Sequence, residues 1–299
     1  MTYDDIAAAF LIPSGELPPA PEVPTTPARR LRDACEVIAT QGWWSRPAAD
    51  AVTALGLGFF DGYVWGRAAA LGTPPASLVA ATFGVFEPGL IGAVYRQGLA
   101  AAGRDDVLAA RASGATAAVA AVVDDGDAAG LADPLLDALD RLDPMGRPLF
   151  AGLRELPRPE AAAGRLWRAA ELVREHRGDG HLAACIATGL DAVEANVLTE
   201  LWLGYRIGDY SSTRGFDATA LGAAAERLEA RGWLAGGGLT QAGLAARRAL
   251  EAATDASQAA LVVALGPALD AVVAGLDAVG ARLLAAHAAP ADPRKRAAG

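Results

Sequence analysis

From residue 28 onward, apolar residues recur every three or four positions, the period of a helix that buries one face. Leu31, Ala34, Cys35 and Ile38 do so over 29–40. Leu166, Ala169, Ala170 and Val173 repeat the pattern over 161–175, and Leu221, Ala224, Ala225 and Leu228 over 218–231. Helices are also predicted over 48–55, 76–83, 88–102, 105–124, 128–142, 147–156, 181–189 and 191–203, with two long ones at about 241–265 and 268–287. The stretch FFDGYVWGRAAAL, 59–71, is apolar around most of its circumference and reads as a buried helix. Pro74-Pro75, Glu87-Pro88-Gly89, Asp143-Pro144-Met145-Gly146, Pro157 and Pro159 interrupt the pattern. Only WLAGGGLT, 233–240, reads as strand, turn and strand. The pattern therefore predicts an all-α protein with a minimal β-hairpin. Its expected parts are a Pro-rich tail at 1–27, a helical domain at 28–143, a linker at 144–160, a second domain at 161–288 and a frayed tail at 289–299.

Two stretches repeat. Aligned without a gap, 30–55 and 165–190 share identities at eight positions, among them Leu31/Leu166, Glu36/Glu171 and Thr53/Thr188. Each reads as helix, corner, helix, with QGWWSR at one corner and His176-Arg177-Gly178-Asp179-Gly180-His181 at the other. A true duplication would pack two like domains about a pseudo-two-fold axis, a common setting for a ligand pocket. Two unrelated helical hairpins of similar composition are the other reading.

Composition narrows the function. A net charge of −9 disfavours general binding to a phosphate backbone. Two cysteines, Cys35 and Cys185, are too few for a disulfide framework and fit reduced thiols. The first residues carry acids and lack a basic leader region. The most apolar run, 261–284, is interrupted by Asp270, Asp277 and Arg282. A cytoplasmic protein without a membrane anchor is expected, and a homodimer is compatible with the chain.

Two motifs carry candidate chemistry. Residues 217–252 resemble the end of a MarR-like winged-helix domain: an Asp-capped helix closing in ERLEARG, a glycine turn between WL and LT, then a long helix. The would-be recognition helix begins with Ala, Thr and Leu, and the wing AGGG carries no Arg or Lys, so the chemistry argues against DNA. The corner HRGDGH is the strongest site candidate. Histidine titrates near neutral pH and serves as acid or base. His176 and His181 are the catalytic candidates, with Asp179 as orienter and Arg177 as an anion clamp. The competing reading is a corner whose polar residues cap both helices. No spacing of His or Cys indicates a metal, and no phosphate-binding or dinucleotide fingerprint indicates a cofactor.

The chain resembles the SalK-like helix-turn-helix family of actinobacterial proteins over roughly 28–265. The resemblance is carried by GWWSRPAADAVTALGL, YVWGRAAALG, FGVFEP, LVREHRGDGHLAACIATGLDAVEANVL, TRGFDA and ERLEARGWLAGGGLTQAG. Such proteins are often found near natural-product gene clusters, and their functions are mostly unassigned. Ala70 departs from an expected Pro, and Val85 and Glu87 from forms containing Asn. The repeat, the MarR-like segment and the HRGDGH motif together predict two winged-helix-like halves with a small-molecule site between them. That site would serve non-redox acid–base chemistry in specialised metabolism. Arg67, Trp65 and Tyr63 would join Arg177 in holding the ligand. A ligand-responsive regulator and a non-catalytic pathway partner are the alternatives.

Overall fold

A computed structural model describes residues 3–13 and 15–298. Met1, Thr2 and Ser14 of the expected N-terminal tail and Gly299 of the expected C-terminal tail lie outside the described residues. The helices run α1 Tyr3–Ile6, α2 Pro27–Ala39, α3 Gln41–Trp44, α4 Arg46–Thr53, α5 Phe59–Ala68, α6 Ala76–Phe83, α7 Pro88–Ala101, α8 Arg104–Ala120 and α9 Asp125–Asp140. They continue as α10 Pro148–Arg154, α11 Ala162–Ala187, α12 Ala192–Trp202, α13 Ala218–Ala230, α14 Gln241–Ala256, α15 Ala259–Leu265, α16 Leu269–Ala285 and α17 Pro293–Ala297. Between α13 and α14, β1 (Leu234–Ala235) pairs antiparallel with β2 (Gly238–Leu239), the one sheet among the described residues. The fold is all-α with a minimal hairpin.

Many helix starts are set by side-chain caps that the sequence supplies locally. Thr26, Ser45, Glu87, Asp124, Asp191, Asp217 and Thr240 each accept a backbone N–H from the first turn of the helix they precede. Asp191 and Glu194 form a reciprocal capping box. The hairpin turns through Gly236 and Gly237, both at positive φ, which only glycine adopts freely.

Three apolar cores result. The first joins α2, α9, α10, the N-terminal half of α11, α15 and α16. The stretch expected as a linker, 144–160, contributes Phe150, Leu153 and Leu156 to it. The second core lies among α4, α5, α6 and α7, and the third among the end of α11, α12, α13, the hairpin and α14. Residues 259–285 are long and apolar enough to cross a membrane by length and composition. In the fold, Leu261, Leu269, Val272, Leu276 and Leu283 from one face of this stretch are buried in the first core.

The expected corner at 176–181 is absent. Helix α11 runs unbroken through HRGDGH for 26 residues, whereas its ungapped counterpart 41–46 turns between α3 and α4. The two stretches therefore do not follow the same backbone path. Burial on several sides overrides two glycines that cost only about 1 kcal/mol each in a helix interior. The C-terminal segment is not frayed in this fold. Ala289 is buried, Ala291 donates to the carbonyl of Phe10, and Arg294 to that of Gly204.

Candidate functional site

Helix α11 is the spine of the site. Arg174, Glu175, Gly178, His181 and Leu182 follow the 3–4 spacing of a single helix face. That face borders a cavity of about 110 Å³ whose other walls come from α2, α5, α6, α12 and α14. The cavity thus lies where the three packed units meet. Segments that carry the family resemblance converge here from distant positions: Tyr63 and Arg67, Val85 and Phe86, Arg177, and Arg214.

The wall is rich in cations although the chain is acidic. Arg29 and Arg32 of α2, Arg67 of α5, Arg174 and Arg177 of α11, Arg214, and Arg247 of α14 all line it. The carboxyl groups on the same wall are Glu175, Asp179 and Glu251. Glu251 receives Arg29, Arg177 and Arg247 at 3.1, 2.9 and 2.7 Å, and these guanidiniums hold its carboxyl far below the usual range despite burial. Glu175 is gripped by two nitrogens of Arg67 at 3.1 and 2.8 Å and by Arg174 at 3.0 Å. Asp33, Glu36 and Asp255 pair with the cluster from behind. Cations still outnumber acids. The Nε atoms of Arg177 and Arg247 are buried without a hydrogen-bond partner. Burial without full compensation lowers the pKa of both guanidiniums. A buried N–H left unpaired costs about 1–3 kcal/mol, and the excess of positive charge on this wall favours an anion.

The six residues of HRGDGH separate by function. His181 lines the cavity but is engaged. Thr254 Oγ1 donates to the Leu250 carbonyl, so it accepts from His181 Nδ1 at 3.0 Å. His181 Nε2 then faces the Cys185 thiol at 3.6 Å, a thiol that burial pushes up to about 11 and keeps protonated. Burial lowers His181 to about 3. His176 does not line the cavity. It is buried against the Phe150 ring with Nδ1 2.7 Å from Gln258 Oε1, and burial lowers it to about 4. The structure does not bring the two histidines together over a shared space, and Asp179 bonds to neither. Asp179 instead accepts the Phe150 N–H at 3.0 Å, capping α10 from another helix. It also lines the cavity, and burial raises it to about 7. Arg177 lines the cavity as described.

The glycines serve opposite purposes. Gly180 is where α11 presses on the end of α14: an added Cβ would lie 2.9 Å from Arg147 Nη1 and 3.0 Å from Ser257 Cβ. Gly178 borders the cavity, and a Cβ there would meet only Glu175 Oε2, at 3.8 Å.

Of the other expected ligand contacts, Arg67 and Tyr63 line the cavity and bond to each other at 2.8 Å. Trp65 does not. It is fully buried in the second core, with its indole N–H donating to the Ala102 carbonyl at 2.9 Å. Val85, one of the departures from family pattern, lines the cavity, whereas the Glu87 side chain caps α7. Sequence reasoning missed Arg29, Arg32, Arg174, Arg214 and Arg247. The available signal was an Arg on the apolar face of an amphipathic helix, as with Arg247 and Leu250. Among the described residues, no cluster of three or more His, Cys, Asp or Glu is arranged to hold a metal ion.

A second chamber of about 590 Å³ adjoins the first. Tyr63, Phe86, Arg174, Tyr210 and Arg214 line both. Its remaining wall adds the aromatics Phe10, Trp43, Trp44, Phe59 and Phe60, with Glu36 and Asp61 among the polar residues. The C-terminal segment closes over both spaces: Lys295 and Arg296 line the outer chamber, Ala297 and Ala298 the inner one.

The winged-helix unit is built of α12, α13, the hairpin and α14. The basic residues at the end of α13 turn toward α12. Arg227 pairs with Asp191 and Glu194 at 2.6 and 3.2 Å, and Arg231 reaches Glu194 at 3.5 Å. A family model described as a helix-turn-helix family matches residues 28–290, and the chain belongs to that family. No curated protein and no solved structure matches the chain.

Proposed function

We propose that this member of the helix-turn-helix family binds a small organic anion in the arginine-lined cavity, with its winged-helix unit serving as a wall of the site. One observation carries the reading. Seven arginines face three carboxyl groups on a cavity of about 110 Å³, in a chain of net charge −9. Guanidiniums are suited to carboxylate or phosphate, which they bind through paired, charge-assisted hydrogen bonds. The SalK-like resemblance points the same way, toward a ligand of specialised metabolism.

If the site is catalytic, the acid–base role passes from the histidines to Asp179. It borders the cavity and titrates at about 7, while His176 and His181 stay neutral and bonded. A regulator reading rests on the helix-turn-helix unit alone. Salt-sensitive, sequence-specific gel shifts with the gene's upstream DNA would favour it.

The test uses succinate and inorganic phosphate as probes at constant ionic strength. Either anion is expected to raise the Tm of the wild-type protein above that in matched chloride. The rise should shrink in Arg177→Gln and in Arg247→Gln. A rise no greater than that with chloride, for both probes, would overturn the reading.

A further inference from the structure

We infer that the ligand is a fused-ring aromatic acid whose carboxylate sits in the inner chamber and whose rings lie in the outer one. The inference rests on the anion-binding reading and deepens it.

Size separates the two chambers. A dry cavity of about 150 Å³ is enough to admit benzene. The inner chamber, at about 110 Å³, falls short of that and suits a head group. The outer chamber, at about 590 Å³, lies within the range of small-molecule sites and exceeds the need of a single ring several-fold. Chemistry separates them in the same sense. Seven guanidiniums line the inner wall, whereas the outer wall adds Phe10, Trp43, Trp44, Phe59 and Phe60 beside Arg174, Arg214, Lys295 and Arg296. Trp44 and Phe59 lie 5.2 Å apart at 36°, and Phe60 and Tyr63 lie 6.1 Å apart and nearly parallel. Such surfaces favour a flat π-system over a flexible chain.

The neck joins the two chemistries. Arg174 and Arg214 line both chambers. Arg214 lies over the Phe86 and Tyr210 rings at 4.5 and 4.7 Å and donates to the Tyr210 hydroxyl. A carboxylate in the inner chamber meets cations, and a ring attached to it passes Arg174 and Arg214 at the neck to emerge among aromatics. A ligand that is only an anion would leave the larger, apolar space unused, and a neutral aromatic would leave the arginines unanswered.

Isothermal titration calorimetry of the full chain with succinate, benzoate, 2-naphthoate, anthracene-2-carboxylate and neutral 2-naphthamide tests this. Affinity should rise at least tenfold from benzoate to the fused-ring acids and fall at least tenfold from 2-naphthoate to its amide. Phe59→Ala should weaken 2-naphthoate at least tenfold while leaving succinate within twofold, and Arg177→Gln should weaken both. Phe59→Leu replaces Phe59→Ala if that variant does not fold. Quenching of tryptophan fluorescence by 2-naphthoate but not by succinate gives a second readout of ring placement beside Trp43 and Trp44. If small anions bind and added rings contribute nothing, this inference is overturned and the anion reading stands. If the naphthamide binds as well as the acid, the head-group assignment is overturned. If none of the anions binds, both readings fail.

Discussion

Gly178 and Gly180 stand two positions apart in one helix, and their surroundings assign them opposite substitution effects. Helix propensity favours alanine over glycine at both by about 1 kcal/mol. At Gly178 a methyl group finds open space bordered by Glu175, so Gly178→Ala is expected to raise stability by about 0.5–1 kcal/mol. The same methyl occupies part of the inner chamber, so succinate affinity should fall. At Gly180 the methyl would press on Ser257 and Arg147, which already bind backbone carbonyls. Gly180→Ala should lose about 1–3 kcal/mol. Urea unfolding of the two variants checks the contrast, and equal effects of the same sign would refute it. The motif HRGDGH therefore owes one glycine to close packing and the other to the cavity.

At the scale of elements, three of the helices around the inner chamber, α2, α11 and α14, are tied through one carboxylate. Glu251 of α14 binds Arg29 of α2, Arg177 of α11 and Arg247 of its own helix. Removing one partner of a buried ion pair leaves charge uncompensated at a cost of about 3–5 kcal/mol. Glu251→Gln keeps the shape but leaves Arg247 with no acid among the described residues. It should lose stability on that scale, read as a lower urea midpoint with the slope unchanged. A loss under 1 kcal/mol would mean that the network contributes little. The same helices explain why α11 is continuous. Its N-terminal half is held in the first core and its end in the third, so neither glycine is free to nucleate a turn.

For the whole molecule, the buried titrating groups set a pH dependence. His176 and His181 titrate near 4 and 3 in the fold against an ordinary 6.5, so the unfolded chain binds protons first. Their contribution is complete above pH 6.5 and is lost as pH falls toward 4. Asp179 acts in the opposite sense. Its folded value near 7 lies above the ordinary 3.8, so its contribution is complete below pH 3.8 and is lost as pH rises through 7. Asp179→Asn removes that second term and keeps an acceptor for the Phe150 N–H. The stability of the variant relative to wild type should therefore grow with pH between about 4 and 7, by up to about 1.4 kcal/mol per unit, and level off above 7. Urea unfolding at pH 5, 6 and 8 measures the difference, and a difference independent of pH would contradict it.

The hydrophobic period, the Asp, Ser, Thr and Glu caps and the paired glycines of the hairpin are local signals. They were enough to determine an all-α chain with one small hairpin and most of its helices, but not α1 in the expected tail, α3, α17, the break between α14 and α15 or the continuity of α11. Those signals act within a turn or two of the residue that carries them. Position 176–181 went wrong because glycine and polar residues locally favour a corner, while the packing that keeps the helix straight comes from α10 and α14. For the site, the sequence singled out Asp179, Arg177, Arg67, Tyr63 and His181, which do line the cavity, along with His176 and Trp65, which do not. Their chemistry was readable from residue type. Their company was not: Arg29, Arg214 and Arg247 are brought to Arg177 from as far as 148 residues away, by cores that they do not themselves form. Charge on one wall of a cavity depends on which helix faces meet there, and that is decided only when the tertiary structure closes.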